Sequence, residues 1–145
     1  MPLSRSGTII EGIKLEFEHG RITQAEASKG EELLLKLIAT DEGVCSLGEV
    51  ALVPHSSPIA QQGILFYDTV LDENAASHLA LGAGYRFCLK DAEKMSDKEY
   101  AARGGNSSLL HIDFMIGSAR MDVDGINDDG TREPVMRAGE WAFDA

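Results

Sequence analysis

The sequence predicts an α+β fold, a mixed and largely antiparallel sheet carrying a few helices. Two patterns predict it: hairpin-like alternation of apolar and polar residues near both ends, and one apolar stripe at helical spacing through residues 31–40. In the first stretch, residues 9–27, Ile13, Leu15 and Phe17 alternate with Lys14, Glu16 and Glu18. His19-Gly20 then breaks the run before Arg21-Ile22-Thr23, as in a hairpin with one wet face. Residues 31–40 (EELLLKLIAT) hold strong helix formers, with Leu33, Leu34, Leu37 and Ile38 on one side and Ser28 upstream as a cap. This helix is expected to pack over the first hairpin.

Residues 44–53 are apolar and β-branched, the composition of a buried strand, except for one carboxylate, Glu49. A Pro- and Ser-containing loop at 54–58 leads to a short strand expected at 63–67. Asp72 or Asn74 can cap a helix running to about Leu81, where Gly82 and Gly84 stop it, and His78 would lie on that helix. Residues 90–106 are polar and expected to be irregular or partly helical. Over 109–116 a strand would turn His111 and Asp113, two apart, to the same face. A second hairpin closes the chain, with strands at 121–126 and 133–143 around a turn at 127–130.

At 145 residues the chain is one domain's worth, long enough to bury about two thirds of its unfolded surface around a core. Hydrophobic residues at 43% and charged residues at 26% argue against disorder. Thirteen Lys plus Arg against twenty-four Asp plus Glu leave a net charge of -11, which repels phosphate backbones and anionic membranes, so nucleic acid and membrane are poor partners. No apolar run approaches the roughly 20 residues that span a bilayer, and no export signal is visible at the start. Two cysteines, Cys45 and Cys88, make no disulfide framework, and a cytoplasmic location is the simplest expectation.

Five side chains carry chemistry of the kind that holds paired divalent metals and activates water: Glu49, His78, Tyr85, His111 and Asp113. Each has a plainer alternative. A His beside apolar neighbours is more often a hydrogen-bonded core residue, and an Asp two residues from a His can simply orient it. Most tyrosines are packing residues, and Tyr85 lies about two helical turns beyond His78 only if the helix survives Gly82 and Gly84. A buried Glu49 requires a partner, either a cation or an Arg.

Other motifs yield less. In residues 122–133 (DVDGINDDGTRE) the first, third and twelfth positions suit a calcium loop, but Ile126 replaces an oxygen ligand and Asn127 the turning glycine. Asn106-Ser107-Ser108 spells a glycosylation acceptor, read as chance. GAGYRF lacks the third glycine and the preceding strand of a dinucleotide site.

The blocks LGEVALVPHSSPI, GILFYDTVLDENAASHLALGAGY, NSSLLHIDFMIGS, MDVDGINDDG and GEWAF, in this order from about Ser6 onward, resemble the C-terminal region of the thermophilic metalloaminopeptidase family, the aminopeptidase T, aminopeptidase S and PepS type. The resemblance implies a cytoplasmic exopeptidase with two divalent ions (zinc, cobalt or manganese), acting on peptides with a free N-terminus and forming a homodimer when intact. It carries the ligand roles onto Glu49, His78, Tyr85, His111 and Asp113; in a two-ion mechanism Asp113 or Glu49 would be the bridge, and the catalytic base a carboxylate, Glu49 or an upstream glutamate. The family's sixth ligand, a glutamate, belongs to an upstream block that these residues do not include. Met1 to Ser6 is therefore expected to be an artificial or truncated start, and residues 1–145 to be the C-terminal part of a larger catalytic domain. The fragment alone is expected to be inactive. The alternative from a different class is a non-catalytic acidic interaction or dimerisation module of the same fold, which metal content would separate from the enzyme.

Overall fold

The computed structural model describes residues 2–5 and 7–143, so Met1 and Ser6, within the segment expected to be an artificial start, lie outside the described residues. Ten strands and three helices follow in order among the described residues. They are β1 (Leu3–Arg5), β2 (Thr8–Ile10), β3 (Lys14–Glu18), β4 (Arg21–Glu26), α1 (Glu31–Ile38), β5 (Leu47–Ala51), α2 (Thr69–Glu73), β6 (His78–Gly82), α3 (Asp97–Ala102), β7 (His111–Met115), β8 (Val123–Ile126), β9 (Arg132–Arg137) and β10 (Glu140–Trp141). They form four small sheets, β1-β2, β3-β4, β5-β6-β7 and β8-β9-β10. The α+β class holds, with the strands shared among several small sheets.

The chain divides into two compact units, Met1–Val50 with Leu79–Phe114, and Ala51–His78 with Met115–Ala145. In the first, Leu3, Ile10, Leu34, Val44, Leu81 and Ile112 are buried together. The helix α1 does lie over the β3-β4 hairpin, as its stripe requires: Leu33, Leu37 and Ile38 pack on the same cluster as Ile13, Leu15, Ile22 and Ala25. The turn of that hairpin is His19-Gly20, both with positive φ. Ser28 is not the helix cap, because its hydroxyl donates to Glu11 O at 2.9 Å; Gly30, in the left-handed region, precedes the helix instead.

The sheet β5-β6-β7 carries most of the candidate residues. It is antiparallel throughout. Gly82 N donates to Ser46 O and Val53 N to the Ser77 hydroxyl, and Ala83 N donates to Leu110 O while Ile116 N reaches Ser77 O, so partner numbers fall as β6 rises. The strand β5 starts at Leu47, after a 3₁₀ turn at Gly43–Cys45, and is shorter than the apolar run 44–53 implied.

Two expectations around β6 are corrected. His78 is not on a helix: Asp68 caps α2 by accepting from Leu71 N at 3.2 Å, and the helix ends at Glu73. The five residues HLALG, nearly all buried, then form a central strand too short and too enclosed to be a helix. Residues 63–67 form no strand, because Phe66 N donates to the buried Asp72 carboxylate at 2.8 Å and joins no neighbouring chain.

In the second unit β8, β9 and β10 make the expected C-terminal hairpin with one extra strand, folded around fully buried Met136. Ser77, also fully buried, exchanges hydrogen bonds with Val53 through its hydroxyl, fixing the entry to β6.

Candidate metal centre

The strand β7 alternates strictly. Ile112 is buried on one side, and His111 and Asp113 project together from the other, so that His111 Nε2 lies 3.0 Å from Asp113 Oδ1. Glu49, third residue of β5, brings Oε2 to 3.5 Å from the same Nε2. His78 opens the middle strand β6 of this sheet. The sheet thus gathers four of the five predicted residues. The fifth, Tyr85, lies beyond β6 in extended backbone, not two helical turns along, with its ring tilted against the His111 imidazole at 4.7 Å between centroids. Tyr85 also stacks on Phe87 at 5.3 Å.

The hydrogen bonding of His111 decides what it can do. Its Nδ1 lies 2.6 Å from Ala83 O, and a carbonyl only accepts, so the neutral ring carries its proton on Nδ1. Nε2 then presents a lone pair toward two carboxylates. Asp113 is only 4% exposed, and its Oδ1 has no hydrogen-bond partner among the described residues. Although 3.0 Å from Nε2, it is out of line for a hydrogen bond.

A buried carboxylate oxygen without a donor costs several kcal/mol. An unprotonated Nε2 only 3.0 Å from this oxygen adds electrostatic repulsion. Both are relieved by a cation, so nitrogen and oxygen donors in this arrangement fit a divalent ion of the zinc, cobalt or manganese type. His78 is held in turn, its Nδ1 3.0 Å from Ala76 O. Glu49 has His111 as an ionic neighbour. Two groups near the site were not read from the sequence as part of it: the Ala83 carbonyl, since main-chain acceptors have no signature, and Asn106, whose tripeptide suggested only a glycosylation acceptor.

Comparison with known proteins agrees in extent and in fold. The profile of the thermophilic metalloprotease (M29) family matches residues 1–141, thus from the first residue and not only from Ser6. Aminopeptidase AmpS of Bacillus subtilis is 54% identical over 142 residues, 98% of this chain and 35% of its own length. Aminopeptidase T of Thermus thermophilus is 53% identical over 140 residues, 97% of this chain and 34% of its own. The solved structure of wild-type AmpT from Thermus thermophilus superposes with a TM-score of 0.92 at 52% identity, covering 99% of this chain and 35% of that one. The chain therefore spans about a third of the length of these relatives. On a match across nearly its whole extent, it belongs to the thermophilic metalloprotease (M29) family.

Proposed function

We propose that these residues are the C-terminal part of the catalytic domain of a metal-dependent aminopeptidase, and that Glu49, His78, Tyr85, His111 and Asp113 contribute its metal ligands. The observation that carries the reading is the buried Asp113 oxygen without a donor, beside a His111 nitrogen whose proton is committed elsewhere. The relatives named aminopeptidases support the reaction class.

One or two divalent ions held by this set would supply Lewis acidity toward a scissile carbonyl and make a water acidic near neutral pH. The side chains contribute the rest. His111, its Nδ1–H engaged by Ala83, keeps Nε2 bare and aimed. Asp113 supplies negative charge where burial makes it most effective. Glu49, with a quarter of its side chain exposed, is the carboxylate open enough to accept a proton from water and is the candidate general base. Tyr85, about half exposed, stands at the rim against His111. The substrates are peptides with a free N-terminus, and the location is cytoplasmic. No described helix is long and apolar enough to cross a membrane.

Zinc and cobalt uptake by the purified chain, measured by elemental analysis after dialysis, tests the reading. Metal is expected to be retained by the wild-type chain and lost in His111→Ala. Leucine p-nitroanilide turnover by these 145 residues alone is expected to be little or none, because they span about a third of the length of the aminopeptidases they match. Equal metal content in wild type and His111→Ala would end the proposal and favour an interaction module.

A further inference from the structure

We infer that Asn106 is a positioning residue that fixes the proton and the aim of His111, acting through the backbone of residues 82–84. The inference takes its functional meaning from the metal-centre proposal, though its geometry stands apart from it. The Asn106 amide nitrogen is surrounded by main-chain carbonyls: Gly43 O and Gly82 O at 2.8 Å, Ser46 O and Leu47 O at 3.4 Å. Carbonyls cannot donate, so the atom facing them is the NH₂, and its two protons match the two short contacts. A side chain so engaged is closed to glycosylation, which removes the acceptor reading of its motif.

The same residue accepts through its own carbonyl from Gly84 N at 2.9 Å. Asn106 therefore grips both peptide groups that flank Ala83, the first by its oxygen and the second by its N–H. The remaining polar atoms are also placed: Ala83 N donates to Leu110 O at 2.8 Å, and Ala83 O receives His111 Nδ1 at 2.6 Å. The strand β5 also comes close to these carbonyls. A Cβ on Gly48 would lie 2.3 Å from Gly82 O and 2.5 Å from Ala83 O, so glycine alone permits the approach.

Removing the Asn106 donor leaves Gly82 O without its short partner and loosens the peptide that leads into Ala83. The Ala83 carbonyl, its peptide then held by Asn106 only through Gly84 N and the main-chain oxygen, is expected to shift against His111 and to confine the imidazole proton to Nδ1 less tightly. A proton on Nε2 would occupy the lone pair that is left for a ligand beside Asp113 and Glu49.

Long-range ¹H–¹⁵N correlation spectra of the histidine-labelled chain, at a pH where the imidazole is neutral and without metal, read the tautomer directly. Wild-type His111 is expected to be Nδ1–H. Asn106→Ala and the shape-preserving Asn106→Asp are both expected to shift it toward Nε2–H, and zinc affinity to weaken about ten- to hundredfold. Leu34→Ala, a variant of the apolar core of the same unit that removes none of these polar groups, should lower stability without moving the signal. That control separates positioning from simple destabilisation.

A wild-type His111 carrying its proton on Nε2 overturns the inference whether or not the variants fold. So does a folded Asn106→Asp with the wild-type tautomer. If the tautomer responds to Asn106 but the wild-type chain takes up no zinc, the metal proposal fails and the positioning role stands.

Discussion

At the scale of single residues, the least comfortable atom among those described is Asp113 Oδ1, buried and without a donor. Replacing the carboxylate by an amide removes a desolvated charge, so Asp113→Asn is expected to stabilise the metal-free chain by roughly 1–3 kcal/mol while abolishing metal uptake. Urea denaturation in chelator measures the first effect, and a loss of stability would show that Asp113 has a structural partner. The chemistry of this residue was legible in its strand: two-residue spacing with His111 put both on one face. Glu49 was legible too, as a lone carboxylate in an apolar run. Illegible was the acceptor that orients His111, since Ala83 contributes only main chain. Asn106 was visible but misread, because its tripeptide spells a surface modification while its amide turns inward.

At the scale of elements, the approach to β7 is held by one carboxylate from the loop after α1. Asp41 accepts from Leu109 N at 2.7 Å, from the Ser108 hydroxyl at 2.9 Å and from Val44 N at 3.0 Å. The Leu109 amide above all, with Ser108, Val44 and Gly43 adding, holds its carboxyl below the ordinary value against the opposing effect of desolvation. A depressed folded value stabilises the fold above the unfolded pKa of about 3.9 and loses that contribution as pH falls through the folded one. Asp41→Asn is expected to be less stable than wild type at pH 7, and the gap should narrow as the pH falls below the unfolded pKa and through the lower folded value. Denaturation midpoints across that range check it; a gap independent of pH would deny the carboxylate its role. Elements themselves were legible where period and turn chemistry agreed, as in β3-β4 and α1. The β6 segment was not, because a five-residue apolar run reads equally as strand or helix until tertiary burial decides. Its true helix starts earlier, at an Asp68 cap passed over in favour of Asp72 and Asn74.

At the scale of the whole molecule, stability in the first unit rests on a small cluster in which Leu34 is 1% exposed. Leu34→Ala should cost about 2–5 kcal/mol in urea unfolding, and a change under 1 kcal/mol would show that the cluster collapses to fill the gap. The α+β class followed from patterns at the two ends, whereas the division into two compact units had no marker in composition, since no linker-like stretch separates them. The family was legible because its blocks are long and ordered. The convergence of those blocks on one sheet was not, because pairing of β5, β6 and β7 joins segments about thirty residues apart, and nothing local encodes which strands meet.

The uncompensated oxygen at Asp113 also bears on the survival of the polypeptide. A fold that is relieved by a bound cation gains stability in proportion to the logarithm of free ion over dissociation constant, about 2.7 kcal/mol at a hundredfold excess. Scarcity of that ion would raise the fraction of open chains exposed to degradation, so the abundance of the polypeptide would track the supply of the ion.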